Sequence, residues 1–307
     1  FGLRLNPYWL RRLGQIRFEQ SGNLDSPPNQ QWANRAPLLF PWVNMVVWGM
    51  GLPLGLAAWI GWAVAGFELW RGRRAHLILW MWATLMFLYL GTRWVKSMRY
   101  FIFLYPMFVV MAAYGLIRLC CVVSKVWRRV GYGLTAAVVV GAALWAYAVF
   151  SIYLRPHTRI ASSRWICENV PRSSVIATEH WDWTPPLPVE GCDLSGYTIF
   201  EMENYHDDTS EKQLLLFEWL ERADYIVTGS NRIYASVSRL PARYPLTNAY
   251  YQALFSGALG FELVADFTSY PAIGPIQFPD QENPWSVMPA RYEYQPAGII
   301  VPLPPAE

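Results

Sequence analysis

Four stretches of this chain stay apolar for far longer than a soluble helix requires, and the residues after them alternate on a much shorter scale. Residues 42–66, 77–92, 100–123 and 130–154 carry one charge among them, Arg118. A helix needs about 20 mostly apolar residues to cross a hydrocarbon core, and 77–92 is the shortest of the four. As buried helices of a water-soluble protein, four such runs would need an enormous core. The pattern therefore predicts an α-helical multi-pass membrane domain over residues 38–154. Within the first span, Gly51 and Gly55 form a pair of small residues four apart, which lets another helix approach closely. Pro53 predicts a local bend there.

From residue 155 the texture changes. Residues 160–169 and 211–221 read as helices, with 250–260 as a further one. Short β-branched runs at 175–178, 197–200, 225–228 and 261–264 read as strands. Strands separated by helices predict an α/β domain with a mostly parallel sheet over 155–307. The Pro-rich tail after Pro271 has little periodicity beyond Gly298-Ile299-Ile300-Val301. Residues 1–37 are polar and broken by prolines. The segment from Asn6 to Leu13 mixes aromatic and leucine positions with Arg11 and Arg12, a pattern that suits a membrane surface or another protein face.

Composition supports the split. Of the 307 residues, 54% are hydrophobic and 15% charged, against about 25% charged in ordinary soluble domains. The 17 tryptophans fit membrane–water interfaces. The basic residues cluster beside the apolar runs, so they read as topology signals rather than as a nucleic-acid footprint. Arg71, Arg73 and Arg74 follow the first span, and Lys125, Arg128 and Arg129 follow the third. The positive-inside tendency places both loops in the cytoplasm. Residues 1–37, the loop with Arg93, Lys96 and Arg99, and the α/β domain then lie outside the cytoplasm. That outer loop is itself basic, which asks for a reason.

Four cysteines are present. Cys120 and Cys121 sit in an apolar run. Cys167 and Cys192 could form a disulfide in an oxidising compartment or remain thiols. No metal-ligand spacing is present.

Three groups of residues carry a resemblance. The first is Phe1-Gly2-Leu3-Arg4-Leu5-Asn6-Pro7 with Pro27-Pro28-Asn29-Gln30-Gln31-Trp32-Ala33-Asn34-Arg35, leading into the run from Asn44 to Gly55. The second is Lys96-Ser97-Met98-Arg99-Tyr100 followed by Leu104-Tyr105-Pro106. The third is Ser163-Arg164-Trp165-Ile166-Cys167-Glu168-Asn169-Val170-Pro171 before Ser174-Val175-Ile176-Ala177. Over most of residues 1–200 the chain resembles the C-terminal half of bacterial GT-C membrane glycosyltransferases of family 39, the dolichyl-phosphate-mannose mannosyltransferase-like type. The resemblance implies transfer of a sugar from a polyprenyl-phosphate donor to an extracytoplasmic acceptor. It implies no further cofactor, and as partners the lipid bilayer and a missing N-terminal transmembrane half. The family's catalytic acid lies in a first outer loop that no segment here matches, so it is expected upstream of Phe1.

Arg93, Lys96 and Arg99, at a membrane surface, could hold the donor phosphate or meet lipid headgroups. Asn29, Gln30, Trp32 and Arg35 offer amides and an aromatic face for a sugar, or a Trp-anchored interfacial loop. Glu179, His180 and Asp182 follow a strand at its C-terminal end, where α/β domains place ligands. They could do acid/base work, bind an acceptor, or serve as caps and turns. His206-Asp207-Asp208 reads as a helix cap. The alternative function is a non-catalytic membrane scaffold subunit of a larger complex.

Overall fold

The computed structural model describes residues 7–24, 27–121, 124–180, 183–279 and 298–302. Along the chain run α1 (Pro7–Glu19), α2 (Pro27–Gln30), α3 (Leu39–Val43), α4 (Leu52–Trp70), α5 (Leu77–Gly91), α6 (Tyr105–Cys120), α7 (Lys125–Phe150) and α8 (Thr158–Asn169). Then follow β1 (Val175–Glu179), β2 (Thr198–Met202), α9 (Ser210–Arg222), β3 (Tyr225–Val227), α10 (Tyr234–Val237) and α11 (Pro245–Ser256). The chain closes with β4 (Phe261–Asp266), β5 (Ala272–Ile273), β6 (Ile276–Gln277) and β7 (Gly298–Pro302). The described residues form two compact units. One holds 7–24, 35–151 and 272–276, the other 27–34, 152–271 and 277–279 with β7.

In the helical unit, α4 and α7, and α5 and α6 with the short turns before them, are each long and apolar enough to cross a membrane. Most of their side chains point outward; Ile60, Ile78, Val110, Ile117 and Val139 are more than half exposed. The inner face is aromatic. Trp59 lies 4.7 Å from Phe108 and 5.0 Å from Phe87, centroid to centroid. Neighbouring indoles satisfy their N–H groups within the bundle: Trp62 donates to Thr84 Oγ1 at 2.8 Å, and Trp80 to the Trp62 carbonyl at 2.9 Å. Such handles let those two rings sit inside without stranding a donor, whereas the buried Nε1 of Trp59 has no hydrogen-bond partner among the described residues.

The first span differs from expectation in two ways. Its α-helix begins at Leu52 rather than near 42, because a π-helical turn over Asn44–Gly49 ends at Gly51. Gly51 takes φ 74°, a left-handed value open to glycine. Pro53 then falls in the first turn of α4, where its missing N–H costs nothing, so it starts the helix instead of bending it. Of the Gly51/Gly55 pair, Gly51 does admit another span: a Cβ there would sit 2.6 Å from Trp145 of α7, whereas a Cβ on Gly55 would meet the Val46 backbone just upstream. A backbone-to-backbone approach of two spans is made by Gly61 of α4 against Met111 and Gly115 of α6.

Arg73, expected as a topology signal, and Arg118, the one charge within the four apolar runs, converge on one buried carboxylate. Glu68 of α4 accepts from Arg73 Nη1 at 2.8 Å and from Arg118 Nη2 at 2.7 Å. An acid at the end of an apolar helix is tolerable because two guanidiniums meet it, and the pair ties α4 to α6.

The other unit is the expected α/β fold. Its sheet runs β2-β1-β3-β7-β4; β1 is parallel to both β2 and β3, while β7 enters reversed between β3 and β4. Predicted strands and helices fall within a few residues of those found. The core joins Ile226, Ala177 and Met202 of the sheet to Leu216 of α9 and to Tyr234, Tyr251 and Leu254 beneath. Cys167 and Cys192 are joined as a disulfide, with their Cα atoms 5.5 Å apart. The segment 27–34 belongs here too: α2 packs against α10, and Asn34 Nδ2 donates to the Arg239 carbonyl at 2.8 Å.

Candidate functional site

Two places in the fold gather chemistry, one in each unit. In the helical unit, the loop between α5 and α6 carries Arg93, Lys96 and Arg99. Arg93 and Arg99 are exposed and lie over the rings of Tyr89 (4.2 Å) and Tyr100 (5.1 Å). Lys96 instead is buried, 4% exposed, with Nζ donating to the Trp94 carbonyl at 3.2 Å. Burial, and then the charge of Arg35, push its pKa below the usual lysine value. No carboxylate pairs with Lys96 among the described residues.

Arg35 therefore parts company with Asn29, Gln30 and Trp32, with which the sequence groups it. Asn29 and Gln30 are buried in the α/β unit, and the Trp32 N–H donates to the Asn29 carbonyl at 3.2 Å. Gln30 Oε1 accepts from the Tyr244 hydroxyl at 3.0 Å. That bond places Gln30 in the wall of a cavity of about 530 Å³ in the α/β unit, within the usual range for ligand pockets.

The cavity's apolar side is formed by Trp219 and Leu215 of α9 with Tyr205 and Tyr244. Its polar side carries Glu203, His206, Asp207, Glu211 and Arg243. Arg243 Nε donates to Asp207 Oδ1 at 2.8 Å, and His206 Nε2 lies 3.6 Å from Glu203. Lys212 also lines the cavity, and its Nζ donates to the carbonyls of Asn204 (2.9 Å) and His206 (2.6 Å), to Asp208 Oδ1 (2.8 Å) and to Thr247 Oγ1 (2.5 Å). Both ends of the Lys212–Asp208 pair are about 5% exposed. Burial would raise the Asp208 pKa, but its bonds to Lys212 and Thr247 outweigh that and hold it low. Burial lowers the Lys212 pKa against the pull of Asp208.

The sequence reading assigned the helix cap to His206-Asp207-Asp208. The cap is Thr209, whose side chain accepts from the Lys212 N–H at 3.1 Å. Asp208 is free of that duty because Thr209 stands one residue closer, and it instead anchors Lys212. Lys212 was missed as a candidate, although its spacing of four from Asp208 at a helix start was a usable sign.

Glu179 and His180, adjacent in sequence, do not work as a pair. Glu179 is buried, and its Oε1 accepts from the Tyr251 hydroxyl at 2.5 Å. Burial pushes its pKa up to about 7, partly opposed by Tyr251 and the Asn204 amide. His180 is partly exposed and bonds Glu201 through Nδ1. Successive side chains at a strand end point to opposite faces, which separates them. Asp182 lies outside the described residues. No cluster of His, Cys, Asp and Glu fit to hold a metal occurs among those described.

Taken together, these features define a chain of four helices apolar and long enough for a membrane, coupled in sequence to an α/β unit with a ligand-sized cavity. No known protein family, curated protein or solved structure matches the chain.

Proposed function

We propose that this chain is part of a membrane glycosyltransferase that moves a sugar from a polyprenyl-phosphate donor to an acceptor on the extracytoplasmic face. The observation that carries the proposal is Lys96, a buried lysine whose charge faces Arg35. Holding Lys96 out of water while the half-exposed Arg35 adds positive charge nearby is costly, and the anionic phosphodiester of the donor beside them would repay that cost. In such a site they would bind the donor phosphate and stabilise it as the leaving group. Exposed Arg93 and Arg99 would supply the approach path for the anion. The segment Lys96-Ser97-Met98-Arg99-Tyr100 also carries the resemblance to family 39 transferases. The base that activates the acceptor is left to another part of the enzyme. Lys96→Met keeps the side-chain length and removes the charge. It is expected to cut sugar transfer by about 100-fold or more in the intact enzyme while expression persists. Unchanged transfer would sink the assignment.

The outward apolar faces of α4 to α7 support residence in lipid, where such side chains are solvated. The Cys167–Cys192 bond supports an oxidising, extracytoplasmic location for the α/β unit. With Cys120 and Cys121 replaced by Ser, Ser210→Cys should react with an impermeant thiol reagent on intact cells, and Arg74→Cys should not. The opposite labelling would invert the topology.

A further inference from the structure

The cavity in the α/β unit has a chemical bias of its own. Ionised carboxylates accept hydrogen bonds and donate none. Three of them, Glu203, Asp207 and Glu211, line the cavity beside the Gln30 amide. The donors on the wall are largely committed: Lys212 Nζ is spent on four acceptors, and Arg243 Nε on Asp207. A ligand that fits must therefore be rich in donors. Trp219 and Tyr205 line the same cavity, flat surfaces of the kind that stack on C–H faces. A molecule with an apolar face and a rim of hydroxyl donors is a pyranose sugar. The charge balance then selects among sugars: both lining cations, Lys212 and Arg243, are already paired with Asp208 and Asp207, which leaves Glu203 and Glu211 to favour a cation and reject an anion.

We propose that this cavity binds a pyranoside and prefers a sugar carrying a free amino group over its neutral and acidic counterparts. The ring would lie against Trp219 and Tyr205, and the ammonium and hydroxyls would donate to Glu203 and Glu211. The proposal depends on the glycosyltransferase assignment only if that sugar is to be called the acceptor. Binding itself is independent of transfer.

The experiment measures binding to the whole chain in lipid nanodiscs with no donor lipid added, by calorimetry with methyl glucosaminide, methyl glucoside and methyl glucuronide. The expected order is glucosaminide, then glucoside, with the glucuronide at least about ten-fold weaker than the first. Glu203→Gln, a half-exposed isosteric change, should weaken the glucosaminide by about five-fold and leave the glucoside nearly unchanged. Trp219→Leu should weaken both sugars, with the melting profile confirming that the unit still folds. Binding of none of the three sugars to the unaltered chain would overturn the proposal. So would the glucuronide binding best, or a trilysine peptide binding more tightly than any sugar. Because no donor is present, such a failure leaves the Lys96 test untouched, and a failed Lys96 test leaves this one untouched.

Discussion

The α/β unit should lose about 3 kcal/mol of stability as pH rises from about 4.5 to 7, and Glu179→Gln should abolish that loss. The cause is the carboxyl of Glu179, buried among Tyr250, Tyr251 and Asn204 with no cation against it among the described residues, whose pKa is raised from 4.5 to about 7. In the unfolded chain this carboxyl releases its proton near 4.5, while in the fold it keeps it until about 7. Between those values the folded state binds more protons, so stability falls with rising pH across the window and is flat above it. A pKa moved that far corresponds to about 3 kcal/mol. The two tyrosines against Glu179 do not titrate in that range: burial holds the Tyr250 and Tyr251 hydroxyls well above their ordinary values. Asp208, whose pKa is lowered, acts in the opposite sense and at lower pH, where stability is lost as the carboxylate protonates. Hydrogen exchange of the β1 amides in denaturant, corrected for intrinsic rates, reads the effect. A chain equally stable at pH 5 and pH 8, or a Glu179→Gln variant that keeps the slope, would refute the role assigned to this carboxyl.

The second large effect is steric. A Cβ on Gly61 would sit 2.0 Å from the Met111 carbonyl oxygen and 2.4 Å from its carbonyl carbon. These are backbone atoms of a packed helix, so no rotamer change can clear them. Overpacking a well-filled site costs roughly 1–3 kcal/mol, and more where backbone must move. Gly61→Ala is therefore expected to cost at least about 3 kcal/mol, and Gly61→Val to prevent stable assembly of α4 on α6. Gly14→Ala serves as the control, since nothing lies within 4 Å of its added Cβ. In a helix it should be neutral or stabilise by up to about 1 kcal/mol. Thermal melting in detergent compares them, and a Gly61→Ala variant that melts with the unaltered chain would rule out the close crossing.

The candidate sites were only partly legible in advance. Lys96 was singled out because cations in an outer loop need a reason, and its burial gave that reason more weight. Asn29 and Gln30 stand out for their amide chemistry, but only Gln30 reaches the cavity, and it does so beside Tyr244, more than two hundred residues further along the chain. Glu179 was marked by its position at a strand end. Only packing against Tyr251 of α11 explains why its pKa is raised while its neighbour His180 bonds Glu201 instead.

What the sequence by itself determined is the set of elements: spans of sufficient apolar length, and short strands separated by helices. Length and period are local properties, written into consecutive residues and independent of what packs against them. Even there, Gly51 moved the start of α4, because a left-handed turn depends on one residue and interrupts a run that hydropathy counts as continuous. The tertiary structure alone decided the pairings. It put Gly61 and Gly115 at the crossing of α4 and α6 and gave Gly51 but not Gly55 a neighbouring span, Trp145 of α7, brought Arg118 onto Glu68, brought the charge of Arg35 to bear on Lys96, and built the cavity from Gln30, Tyr205 and Trp219. These contacts join residues far apart in sequence, and the energy that selects them comes from burial, close packing and charge pairing, none of which exists until the chain has folded.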